Sequence, residues 1–165
     1  MTFKRNAAGV QTDIATKAER RSSGVWVPVD IIKRRLTGAW TVAWQRINIA
    51  ANAVSHSVGV GTATAGYRLN TSGIAEGREG ASYSTLETWL AFGTASNYEC
   101  RATVVSGTLT SGTSGAWLSL GSSQEWSITQ VGVGTNTCEL TIEIRNASTL
   151  VVLDSATITL EADRF

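Results

Sequence analysis

From Cys138 to Arg145 every second residue is apolar: Cys138, Leu140, Ile142 and Ile144 alternate with Glu139, Thr141, Glu143 and Arg145. Successive side chains leave a pleated backbone on opposite sides, so a period of two marks a strand with one face buried and the other in water. The same pattern sets Tyr98, Cys100, Ala102 and Val104 against Glu99, Arg101 and Thr103, and Ala156, Ile158 and Leu160 against Ser155, Thr157 and Thr159. Between these runs lie Trp117 to Leu120 and Trp126 to Ile128, bounded by turn-forming clusters of Gly, Ser and Thr. Half-buried strands separated by turn signals at this density predict four to six strands of an antiparallel sandwich.

Two upstream segments are less regular. Residues 47–83 are rich in Ala, Gly, Ser, Thr and Asn, with weak alternation in Val54 to Val60 and Ala65 to Leu69, and predict one or two strands with long loops. Between Ser84 and Gly93 the spacing changes. Ser84 with Glu87 fits a capping box, Leu86, Trp89 and Leu90 share a helical face, and Gly93 can end the element, so one helix of about two turns is expected there.

The N-terminal third contains a repeat. Arg20-Arg21-Ser22-Ser23-Gly24-Val25-Trp26 recurs fourteen residues on as Arg34-Arg35-Leu36-Thr37-Gly38-Ala39-Trp40. Each copy enters a Gly-containing turn from a basic strand and leaves it through Trp, which reads as two successive hairpins. Four short strands of a meander are expected at 14–21, 25–29, 31–36 and 39–44, with Pro28 confining its strand to an edge or bulge because it lacks a backbone donor. A domain boundary at residue 46 follows, with a basic meander over 1–46 and a sandwich over 47–165. Charge divides at the same place: residues 1–46 hold nine Lys and Arg against three acids, and residues 47–165 five against ten.

The inventory of reactive side chains argues against catalysis. His56 is the single histidine and has no acid near it in sequence, which fits a surface or hydrogen-bonded residue better than a base or a ligand. Cys100 and Cys138 are the only cysteines, too few for a zinc site, and no metal or other cofactor is expected. They could bridge two sheets around Trp117, or each could be a small buried apolar residue; free thiols are the favoured reading. Gly59 to Gly66 superficially matches a phosphate loop but lacks the lysine that gives such loops their chemistry. No apolar run approaches membrane-spanning length, and no signal pattern opens the chain, so synthesis in the cytosol without membrane insertion is expected.

What the sequence does offer is surface for binding. Three of six tryptophans, Trp26, Trp40 and Trp44, fall within nineteen residues beside Arg20, Arg21, Arg34 and Arg35. Arg and aromatic residues dominate interface hot spots, and so small a meander is unable to bury three indoles alone. These seven residues are the expected protein interface. Nucleic acid is the weaker candidate partner, because the net charge of the whole chain is only +1.

The Gly-x-Trp hairpins preceded by basic strands resemble the N-terminal segments of small siphophage tail and tail-fibre proteins. The stretch from Tyr98-Glu99-Cys100-Arg101 through Gly115-Ala116-Trp117-Leu118 to Leu140-Thr141-Ile142-Glu143 resembles phage tail proteins with an immunoglobulin-like or fibronectin-like sandwich, which implies an all-β fold of that kind with one short helix. The resemblance implies a non-enzymatic virion component, assembled in the bacterial cytoplasm: a minor tail, tail-tip or fibre protein that packs against other virion proteins. It also implies a homo-oligomer, a trimer or ring, and contact with a host-surface glycan or protein. Two alternatives are a capsid-decoration or head-fibre protein, and a non-catalytic carbohydrate-binding module using Trp117, Trp126 and Tyr98. A tail-associated glycan hydrolase would need acids such as Glu99, Glu125 and Glu139.

Overall fold

Strands β1 (Ala18–Ser22) and β2 (Val25–Val29) pair antiparallel, as do β3 (Ile31–Leu36) and β4 (Ala39–Gln45), and these form two separate two-stranded sheets. The computed structural model of the chain describes these strand backbones together with residues 47–91 and 93–165. The expected meander is therefore two hairpins, with no ladder joining β2 to β3 among the described residues. The chain divides into two compact units, Met1–Arg46 and Ile47–Phe165.

Among the described residues the second unit holds nine strands in two sheets: β5 (Asn52–Val58), β6 (Ala63–Leu69), β7 (Ile74–Glu79), β8 (Ser82–Thr88), β9 (Tyr98–Gly107), β10 (Leu118–Ser119), β11 (Gln124–Gln130), β12 (Gly134–Asn146) and β13 (Val152–Arg164). One sheet has the order β10-β9-β12-β13-β5 and the other β11-β6-β7-β8. The inward residues of both meet in one core. Val54, Ala65, Tyr67, Leu69, Trp126 and Ile128 pack with Cys138, Leu140, Ile142, Ile144, Ile158 and Leu160, all buried. The two-residue periods of β9, β12 and β13 thus point their apolar sets inward as their sequence requires.

Three expectations are corrected. First, residues 47–83 carry three complete strands and the start of a fourth, where one or two strands and long loops were expected. Their inward positions are mostly Ala and Gly, which give little hydrophobic signal but leave room for Trp89, Trp126 and Tyr67, the largest buried side chains. Second, the segment predicted as a helix over Ser84–Gly93 starts as strand β8, and the helical turn among the described residues is a 3-10 turn at Ala95–Asn97. The Ser84 hydroxyl donates to the Gly77 carbonyl and Glu87 accepts from the Ala50 amide, so neither acts as a cap. Hydrogen bonding to β7 outweighs the helical spacing of Leu86, Trp89 and Leu90. Third, the sandwich is mixed, because β13 pairs with β5 in parallel. The opening strand of the unit lies beside its closing strand, tying both ends of the unit into one sheet.

Cys100 stands opposite Ile144 and Cys138 opposite Gly107 in the β9–β12 ladder. Six residues along a strand separate them by about 20 Å. A bridge between sheets is thereby ruled out, and both are buried free thiols. Burial pushes the Cys100 thiol up to about 12 and raises that of Cys138, so neither offers a thiolate near neutral pH.

Candidate functional surfaces

Both outer faces of the sandwich are closed by an aromatic ring lying against paired arginines. On the five-stranded sheet, Glu99 faces Arg145 and Arg101 faces Glu143 across the β9–β12 ladder. Each arginine meets its glutamate, at 2.7 Å for Arg145–Glu99 and 2.6 Å for Arg101–Glu143. The Trp117 ring takes both guanidinium groups, with the Arg145 and Arg101 carbons 4.1 and 4.6 Å from its centroid. Cation–π contacts of this kind contribute about 0.5–2 kcal/mol, depending on how far the pair is desolvated.

On the four-stranded sheet Tyr83 plays the same part. It starts on the edge strand β8 and its hydroxyl donates to Glu125 on β11 at 2.7 Å, so the side chain straps across β7 and β6. The Arg68 guanidinium sits 3.7 Å from the ring centroid, and Arg78 pairs with the other oxygen of Glu125 at 2.7 Å. Arg68 in turn pairs with Glu76. Gly66 lies beneath this layer on an outward position of β6 and is nonetheless buried; a Cβ there would stand 3.0 Å from Ser127 and 3.3 Å from Arg78. Burial and then the Glu125 contact raise the Tyr83 hydroxyl above its ordinary value, while the hydrogen bond to Glu125 does most to raise Arg78.

Two of the three acids that a glycan hydrolase would need are engaged in these contacts. Glu99 and Glu125 are held by arginines on opposite sheets, and Glu139 lies on an outward position of β12. Among the described residues no cluster of His, Cys, Asp and Glu could hold a metal ion. His56 lies on β5, and its Nδ1 accepts from the Thr64 amide at 3.0 Å. The candidate sugar-stacking residues are scattered. Trp126 is fully buried and donates to the Thr113 carbonyl, Tyr98 packs edge-on against Trp89, and Trp117 lies against the arginines.

Glu87 joins the start of the unit to β8. It accepts from the Ala50 amide at 2.7 Å, from Asn52 at 3.0 Å and from the buried Tyr67 hydroxyl at 3.4 Å. Asp154 likewise accepts from the Ile49 amide. Burial raises the Glu87 carboxyl above its ordinary value despite these donors, and burial followed by Glu87 raises Tyr67. The entering chain is thus fixed beside the first residues of β13. At the other end of β13 lie Val60, Val133 and Phe165, at 89%, 81% and 72% exposure, with Val131. The Arg164 guanidinium donates to the Val131 carbonyl and the Phe165 amide to that of Val58, which draws these tips together.

In the N-terminal unit the sequence repeat is also a structural one. Arg21 stands opposite Trp26 in the β1–β2 ladder, and Arg35 opposite Trp40 in the β3–β4 ladder. Arg20 faces Val27, Arg34 faces Thr41 and Trp44 faces Ile32. The side chains of these seven expected interface residues lie outside the described residues. Sequence reasoning missed the two aromatic layers, although a signal was present: Glu-x-Arg occurs at both 99–101 and 143–145, and antiparallel pairing of two such strands makes each charge face its opposite. No family model, no curated protein and no solved structure matches the chain.

Proposed function

We propose that the chain is a non-enzymatic structural component of a tailed-bacteriophage virion, a minor tail, tail-tip or fibre protein. Residues 1–46 attach it to a neighbouring virion protein, and residues 47–165 project outward. The observation that carries this reading is the doubled hairpin, with arginine opposite tryptophan at equivalent register positions in both copies. Two-stranded ladders are marginal in water without further packing, and Arg with Trp is the composition that dominates protein interfaces. A basic segment and an acidic unit in one chain also suit repeated addition to one assembly, since oppositely charged parts of neighbouring subunits attract.

The sandwich supports an immunoglobulin-like reading through its pairings. Adjacent β9, β12 and β13 in one sheet, and β6 beside β11 in the other, follow the C-F-G and B-E neighbours of that fold, with β7 and β8 as an added hairpin. The exposed Val60, Val133 and Phe165 give the end remote from the chain's entry an apolar tip for a second contact, to virion protein or host surface.

Mass spectrometry of purified particles with copy-number measurement tests the assignment. A few copies per particle are expected, and hundreds would favour capsid decoration instead. Particles assembled with a chain lacking residues 1–46 are expected to lack the protein; recovery of the truncated protein in particles at normal copy number refutes the attachment role.

A further inference from the structure

Of the four sheet edges in the sandwich, two have further chain laid along them. The free side of β11 is bridged by Ser111, which exchanges amide and carbonyl bonds with Ser127 at 3.1 and 3.0 Å. Beside β9 lie β10 and the segment before it, where the Gly115 amide donates to Ala102 and the Ser114 hydroxyl accepts from the Val104 amide. At β5, Asn52 reaches across to Glu87 and His56 to Thr64 in the other sheet. β5, like β8, has no strand on its free side among the described residues, but its side chains are bound to the other sheet, whereas the exposed row of β8 is not. Among the described residues nothing pairs with its outer side, and Ser82, Tyr83, Ser84 and Thr85 are exposed in a row.

Natural edge strands are guarded by Lys, by Pro or by bulges, because an open row of amides and carbonyls accepts another strand. β8 has neither Lys nor Pro. Its single charge, Glu87, is turned to Ala50 and Asn52, and its irregularity falls at Leu86, beyond the exposed row.

We propose that β8 is the seam of a homodimer, pairing antiparallel with β8 of a second copy about a two-fold axis at Ser84. The hairpin's own geometry fixes this register. Glu79 and Ser82 close a two-residue turn as a hydrogen-bonded pair, so the ladder alternation aims Ser82 and Ser84 at β7 and Tyr83 and Thr85 at the open side. Centring on Ser84 then matches the outward groups of Tyr83 with those of Thr85 of the second copy, and the reverse. The Tyr83 ring lies over Arg68 with its hydroxyl on Glu125, away from the open side, so only the small side chains of Ser84 and Thr85 come together at the seam. A neutral strand also meets its own copy without like-charge repulsion, which a strand bearing Lys or Glu on that row would not. The dimer is independent of the virion reading and would hold for the free protein.

Sedimentation of the full-length protein at high micromolar concentration is the test. A mass of twice the 17.5 kDa chain, or an even multiple, is expected. Thr85→Lys, which places two like charges across the seam, is expected to halve that mass at unchanged circular dichroism. Ser84→Cys is expected to give a disulfide-linked dimer on a non-reducing gel under mild oxidation, since directly opposed residues of a non-hydrogen-bonded pair have the Cα separation a disulfide needs. Ser82→Cys is expected to cross-link far less. A monomeric wild type, an unchanged mass for folded Thr85→Lys, or Ser84→Cys that stays uncross-linked overturns the proposal; should Thr85→Lys misfold, the cysteine pair decides alone.

Discussion

In residues 47–165 the long strands β12 and β13 each have a ladder partner on both sides, and the sheets they belong to share one buried core. In residues 1–46 each described strand has a single ladder partner, and the two hairpins repeat each other's register. The first arrangement supplies its own stability through apolar burial, at about 25 cal/mol per Å² removed from water. The second has the hydrogen bonds of a sheet but only two strands to each ladder, an arrangement that is marginal in water without further packing. The difference teaches that one chain can combine a sandwich with its own buried core and a repeated pair of two-stranded ladders, and that the sequence repeat marks the second part.

The largest effect that could break this contrast is truncation. A fragment of residues 47–165 is expected to keep a cooperative thermal transition and a β-type circular dichroism spectrum, whereas residues 1–46 alone are expected to show no cooperative transition. Next in size are core truncations. Trp126→Ala and Leu140→Ala, both at fully buried positions, are each expected to lower stability by about 2–5 kcal/mol in urea titrations. Gly112→Ala probes the covered edge. Gly112 has φ +103, and an added Cβ would meet the Glu125 carbonyl at 2.5 Å. A loss of at least about 1 kcal/mol is expected, with faster hydrogen exchange along β11.

Glu87 gives a pH-dependent test. Its folded carboxyl is raised, so the folded protein holds that proton more tightly than the unfolded chain. The cost of burying the carboxylate is fully present above the raised folded value and is relieved as pH falls towards the unfolded value. Urea titrations across that acidic window should therefore show wild type gaining stability relative to Glu87→Gln as pH is lowered; an opposite slope would contradict the burial of this carboxyl. The smallest effect is expected at the outer faces. Trp117→Ala should cost on the order of 0.5–1 kcal/mol, because its arginines keep their glutamates.

The core of the sandwich was legible because β9, β12 and β13 alternate large apolar with polar residues, and all four apolar members of the β12 run are buried. β6 and β7 were not, because Ala63, Ala65, Ala75 and Gly77 carry the same inward pattern in side chains too small to register. At Gly77 the smallness is required, since a Cβ would approach Val54 to 3.2 Å. The helix predicted over 84–93 failed because Leu86, Trp89 and Leu90 reach the core from a strand and the turn after it, and their spacing imitates a helical face. The aromatic layers depend on strand order: Tyr83 and Glu125 are 42 residues apart and meet only because β8 and β11 bound the same sheet. The candidate interface was read from composition and a repeat, and the ladders add the register of that repeat.

Hydrogen exchange on the full-length protein, free and within particles, tests the central contrast most directly. The account expects amides of β9, β12 and β13 to exchange slowly in both states, and those of β1 to β4 to exchange quickly in the free chain and slowly once assembled. Equal and strong protection of β1 to β4 in the free protein would contradict it.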